Sequence, residues 1–239
     1  MNDVQNKNQK QGFTKSRLDF LPLRNDTKKM KTSNKFTLCR IICAPIFFIL
    51  YFLPIWLGEK DGSVISIISF CAFTPLLVFA EITDYLDGRY ARKYDEVSDF
   101  GKMFDPFADV FLHLSTFSCF VFSGYMPTIL FVLILYREFS QNFLRMVAAK
   151  NGTAIAARKG GKLKTVFYVI SCFVAVAVEG FTRTGLAAQA LESGAVSENF
   201  LDGLVYVCYT FFGISALLSY VSFLDYLKNF GGILREASK

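Results

Sequence analysis

Six apolar runs divide this chain, and their lengths limit what it can fold into. They are Leu38–Leu57, Val64–Ile82, Pro106–Phe122, Met126–Ala149, Leu163–Phe181 and Leu201–Leu227. A helix needs about 20 apolar residues to cross roughly 30 Å of hydrocarbon, so the pattern predicts an all-α integral membrane protein with six transmembrane helices. A hydrophobic share of 53% over 239 residues fits that class better than a soluble domain. No cleavable signal peptide is expected, because the first 35 residues are polar and basic with no apolar core.

The net charge of +6 is concentrated ahead of the first run. From Met1 to Arg40, just inside that run, Lys7, Lys10, Lys15, Arg17, Arg24, Lys28, Lys29, Lys31, Lys35 and Arg40 stand against only Asp3, Asp19 and Asp26. Directly before a membrane span, such a tail suits anionic lipid headgroups, not nucleic acid. Phe13, Leu18, Phe20, Leu21 and Leu23, interleaved with Lys15, Arg17 and Arg24, predict a short surface helix that Pro22 interrupts. The connections after the second and fourth runs are basic, through Arg89, Arg92, Lys93 and Lys102 and through Lys150, Arg158, Lys159, Lys162 and Lys164. By the positive-inside rule both termini are expected in the cytoplasm of a cell (inner) membrane protein. The expected organisation is a basic juxtamembrane tail over 1–33, a six-helix catalytic domain over 34–230 and a cytoplasmic C-terminal tail over 231–239.

Cys39, Cys43, Cys71, Cys119, Cys172 and Cys208 all fall within or beside apolar runs and form no CxxC pair. They read as buried, inert thiols.

Against this apolar background, two pairs of acids stand out: Asp84 with Asp87, and Asp105 with Asp109. A carboxylate at a helix centre costs about 2.5–3.5 kcal/mol on insertion scales, so four at a membrane edge need compensation. Helical spacing places Asp84, Asp87, Gly88, Ala91 and Arg92 within roughly 140° of arc. Small residues let a ligand approach the backbone, and Arg92 can grip a phosphate bidentately. Asp105 and Asp109 are i and i+4 on the next helix. Pro106 predicts a helix start there, with Asp105 as N-cap. All-oxygen ligands of this kind suit Mg²⁺ or Mn²⁺, and two such ions would clamp a pyrophosphate. A carboxylate near an acceptor hydroxyl could take its proton.

Five further polar residues are placed by the same logic. Arg40 reads equally as a snorkelling anchor or as a functional cation. His113, four residues beyond Asp109, reads as a packing residue. Arg137, Glu138 and Arg145 continue a fourth run that is cleanly apolar only over Met126 to Tyr136, and charges at that depth face a bundle interior or a cavity.

The run Asp84-x2-Asp87-Gly88-x2-Ala91-Arg92-x8-Gly101-x3-Asp105-x3-Asp109 resembles the signature of the CDP-alcohol phosphotransferase family at every fixed position. The resemblance implies a membrane enzyme that moves the phosphatidyl or phosphoryl group of a CDP-linked donor onto an alcohol, releases CMP and works as a homodimer. It implies that Asp84, Asp87 and Asp105 ligate divalent ions and that Asp109 completes the metal site and acts as general base. Gly88, Ala91 and Arg92, with Asp84, would contact the nucleotide.

Outside the signature, Asn34-x2-Thr37-x2-Arg40, Tyr136-Arg137-Glu138-Phe139, Arg145 and Gly161-Lys162-Leu163-Lys164-Thr165 resemble the bacterial phosphatidylglycerophosphate synthase branch. That branch implies CDP-diacylglycerol as donor and glycerol 3-phosphate as acceptor. Arg137, Arg145 and Lys162 would hold the acceptor phosphate, helped by backbone amides at Gly160-Gly161. Val110 departs from the branch, many members of which carry lysine after the last aspartate. Inositol 1-phosphate and an unphosphorylated alcohol remain alternative acceptors. A cation transporter is the rival class, opposed by the clustering of the acids at one edge and by the absence of an inverted repeat.

Overall fold

The computed structural model describes residues 32–93, 99–150 and 159–237. The basic tail and its expected surface helix lie outside them. Helices are α1 Thr32–Trp56, α2 Val64–Lys93, α3 Asp99–Phe122, α4 Thr128–Lys150, α5 Lys159–Arg183, the short α6 Leu186–Glu192 and α7 Glu198–Ala237. No strand occurs among the described residues, as the apolar pattern requires. Among the described residues, four helices are both long and apolar enough to cross a membrane: Asn34–Trp56, Val64–Asp84, Gly161–Arg183 and Glu198–Phe230. The helices α3 and α4 have 24 and 23 residues, enough length, but their charged faces dilute their apolarity.

Several boundaries differ from the sequence expectation. Most important, α3 begins at Asp99, so Asp105 and Pro106 sit inside the helix instead of capping it. An interior proline removes one backbone bond, which neighbouring groups in a helix bundle can make good. Asp105 therefore does not cap a backbone amide, and Asp105 and Asp109 still share one face. The expected C-terminal tail is largely the end of α7, which continues to Ala237. The connection after α5 contains α6, a helix too short to announce itself in hydropathy.

The packing is inverted relative to a soluble protein. On α1 the outward face is Leu38, Ile42, Ile46, Ile49 and Leu53, all exposed, whereas Thr37 and Arg40 are fully buried. Lipid is as apolar as leucine, so side chains that need polar partners turn inward to find them. The core is aromatic: Phe47, Tyr51, Phe73, Phe117, Phe120 and Phe212 pack between α1, α2, α3 and α7. Edge-to-face contacts recur there, as between Phe117 and Phe212 with centroids 5.2 Å apart. Four of the cysteines are buried free thiols, but Cys71 is exposed and Cys39 half-buried. Cys71 is thus not the enclosed thiol its apolar setting suggested, because α2 turns that position away from the bundle.

At one end of the bundle a second polar knot ties α1, α2 and α5. Arg183 pairs with Glu179 one turn before it, donates to the Tyr51 carbonyl at 2.8 Å and lies 4.4 Å from the Tyr51 ring centroid. The turns beside it touch through glycines. Gly62 donates to the Arg183 carbonyl at 3.0 Å, and a Cβ on Gly185 would lie 3.1 Å from the Gly62 Cα. Gly185 also has φ +77°, the left-handed region that disfavours a side chain. Gly185→Ala is therefore expected to destabilise the bundle by about 1–2 kcal/mol, read as a lower Tm in detergent with substrate affinities unchanged.

Candidate active site

The other end of the bundle collects the residues singled out by the sequence. Asp84 comes from α2 and Asp105 and Asp109 from α3, and all three line a cavity of about 200 Å³. Arg40 of α1, with no exposed surface, pairs with Asp84 and lies 3.3 Å from Asp109. Thr37, one turn earlier on α1, donates to Asp105 at 2.5 Å. The residues Thr37 and Arg40 thus make α1 the inner wall behind the acids. Arg40 is a partner of the acids, and the snorkelling alternative does not describe it.

Asp105 lies just before the apolar run of α3. Asp87, Gly88, Ala91 and Arg92 are on the same continuous helix as Asp84, and their side chains lie outside the described residues.

The opposite wall is cationic. Arg137, Gln141 and Arg145 follow at i, i+4 and i+8 along α4, so one face of that helix turns them all to the cavity. Gly161 and Lys162, in the first turn of α5, line it with Lys164 and Thr165. Glu138 organises this wall. It accepts from Arg137 at 2.7 Å, from Lys164 at 2.7 Å and from the Tyr168 hydroxyl at 2.9 Å. Two cations therefore share one carboxylate, and the cluster keeps a net positive charge. Arg137 Nε also donates to the Ser219 carbonyl at 2.9 Å, which locks its guanidinium to α7. Its remaining nitrogen, Nη2, is buried with no partner.

Sequence reasoning did not name Thr37, Gln141, Lys164 or Tyr226 as site residues. Of these, Thr37 and Lys164 sat inside quoted motifs, whereas Gln141 and Tyr226 had no signal beyond helical spacing from Arg137 and on α7. His113 is a packing residue, as expected. It is buried, donates through Nδ1 to the Asp109 carbonyl at 2.8 Å and stacks edge-on to Tyr168. Its Nε2 stands 3.5 Å from Glu81.

The profile of the CDP-alcohol phosphatidyltransferase family matches residues 30–218. The chain belongs to that family. Among its relatives is a CDP-diacylglycerol–glycerol-3-phosphate 3-phosphatidyltransferase of Treponema pallidum, 36% identical over 87% of this chain and 92% of the relative. One of the same description from Bacillus subtilis is 37% identical over 58% of this chain and 72% of its own length. A protein from Mycobacterium tuberculosis described as a probable phosphatidylglycerophosphate synthase is 31% identical over 73% of this chain. The chain is therefore a transferase acting in phospholipid biosynthesis at a membrane.

Members of this family generally use divalent metals. The chemistry of the acidic wall fits such an ion, since Asp84, Asp105 and Asp109 offer only hard oxygen donors to one cavity. Among the described residues they are not gathered into a ready-made metal cluster. Between Asp84 and Asp109 stands the Arg40 guanidinium, a single positive charge for two carboxylates. Arg40→Met should lower the stability of metal-free protein by about 2–3 kcal/mol, below the loss for a fully enclosed pair, because both acids keep some solvent. Mn²⁺ should then raise the Tm of the variant more than that of the unaltered chain. Thermal unfolding with and without Mn²⁺ measures both.

Proposed function

We propose that this chain transfers the phosphatidyl group of CDP-diacylglycerol to sn-glycerol 3-phosphate, giving phosphatidylglycerophosphate and CMP. The observation that carries the acceptor is the cavity itself. One wall is acidic and suits a metal-bound pyrophosphate; the other presents Arg137, Arg145, Lys162 and Lys164 to a second anionic group. Arg137 Nη2, buried without a partner, is a donor waiting for a phosphate oxygen. An unphosphorylated acceptor would leave that wall uncompensated. The descriptions of the relatives support the same donor and acceptor.

The reading places six helices across the membrane, α1 to α5 and α7, with the tail, both termini and the cavity on the cytoplasmic side, where the basic connections lie. It also includes a homodimer, as the family resemblance implies. Asp84, Asp87, Asp105 and Asp109 would hold Mg²⁺ or Mn²⁺, most simply as two ions. When bound, these ions would neutralise the pyrophosphate and stabilise the charge that develops on it. Arg92, Gly88 and Ala91 would lie against the nucleotide. The acceptor phosphate binds Arg137, Arg145 and Lys162, which orients its C1 hydroxyl toward the acidic wall. Asp109 takes the hydroxyl proton as the C1 oxygen forms its bond to the β-phosphorus. The bond from that phosphorus to the CMP oxygen breaks, and CMP leaves. The acyl chains stay among lipids throughout.

Two variants test this division of labour. Asp109→Asn should reduce kcat about 100-fold or more while nucleotide binding persists, measured by CMP release and by titration with CDP-diacylglycerol. Full turnover in that variant would remove Asp109 as the base. Arg137 is braced by Ser219 and Glu138, so the cleaner probes of the acceptor are Arg145→Gln and Lys162→Gln. Each should raise the KM for glycerol 3-phosphate about 10-fold or more and leave that for CDP-diacylglycerol unchanged.

A further inference from the structure

Gln141 is 5% exposed, and its side-chain oxygen Oε1 is buried with no hydrogen-bond partner among the described residues. A buried acceptor in that condition is unfavourable, and native proteins seldom keep one without a use. Gln141 lies on the wall of the active-site cavity, midway between two arginines of the same helix face. One turn deeper, Arg137 Nη2 is likewise buried and without a partner. The two residues stand four positions apart on one helix face, and this donor and this acceptor have not satisfied each other. A ligand that brings an anionic oxygen and a nearby hydroxyl would satisfy both.

We propose that Gln141 selects the acceptor through its non-reacting hydroxyl, its amide binding the C2 hydroxyl of glycerol 3-phosphate while Arg137 holds the phosphate. This rests on the acceptor reading above and extends it to the one acceptor group that neither the phosphate nor the reacting oxygen accounts for. A hydroxyl both donates and accepts, so it suits the amide in either orientation. From α3 the cavity is lined by Asp105 and Asp109, which the reading above commits to the metal and the reacting hydroxyl, and by Pro106 and Val110, whose side chains offer no hydrogen bond. An acceptor lacking that hydroxyl leaves the Gln141 amide buried and unpaired, which is how a polar site rejects a smaller analogue.

The test compares glycerol 3-phosphate with 3-hydroxypropyl phosphate, which keeps the phosphate and the reacting hydroxyl but has no C2 hydroxyl. Full-length protein in detergent with Mg²⁺ and CDP-diacylglycerol should prefer glycerol 3-phosphate by about 10–100-fold in kcat/KM. Gln141→Met, nearly the same size and without the amide, should use the two acceptors almost equally, with an unchanged KM for CDP-diacylglycerol. Gln141→Asn, with the amide one methylene short, should fall between them and serves if the Met variant does not purify folded. A Met or Asn variant that keeps the full preference overturns the assignment of Gln141 and leaves the acceptor reading standing. Unaltered protein that turns over another alcohol but not glycerol 3-phosphate overturns both.

Discussion

The pairing of Arg40 with Asp84 and Asp109 is the contact on which the rest of the bundle depends. It joins three helices through a fully buried guanidinium, while both acids keep some exposure. Without a cation on α1, the acids of α2 and α3 would face each other across a shared cavity as like charges. Thr37 adds a neutral hydrogen bond to Asp105 from the same face of α1. The first helix is therefore the wall behind the acids as well as a helix long and apolar enough to span a membrane. Its far end is fixed in the same way, by Arg183 on the Tyr51 carbonyl and ring. Between these two arginine knots, aromatic packing needs no polar partner.

Charge is divided across the cavity with the same economy. The acids of α2 and α3 face the cations of α4 and α5, and each wall is braced from behind by a group of opposite sign. Arg40 braces the acids. Glu138 braces Arg137 and Lys164, and the Tyr168 hydroxyl completes its coordination. Among the described residues, the Arg40 guanidinium touches two carboxylates and the Glu138 carboxylate touches two cations. The proposed reading sets a divalent ion against the first wall and a phosphate against the second.

Much of this was legible in the sequence because membrane helices write their periods in long runs. The helices appear where the apolar runs predict them, and the spacing that put Asp105 and Asp109 on one face survived even though Pro106 proved interior. That error has a physical source: rules for helix starts come from helices whose ends meet water, and α3 continues past its proline toward Asp99. Arg40 was ambiguous for a different reason. A single arginine at a span edge looks the same whether it snorkels or turns inward, and only the partner helices decide. The short α6 was invisible because seven residues leave no apolar run, and the exposed Cys71 because its setting depends on how α2 is rotated against its neighbours.

Gln141 illustrates what a signature cannot contain. In the proposed reading, the fixed positions between Asp84 and Asp109 handle what every donor of this class shares, a pyrophosphate and a nucleotide. The acceptor differs from enzyme to enzyme, so its recognition must come from a wall the signature does not encode. That reading assigns it to one face of α4, where Arg137 and Arg145 flank Gln141 at helical spacing. Charge on the two arginines attracts any phosphorylated alcohol and cannot distinguish among them. A neutral amide with one unsatisfied oxygen adds little to attraction, but it penalises any acceptor with nothing to offer it. Affinity from the flanking cations and selectivity from the residue between them are thus separable on the same helix face.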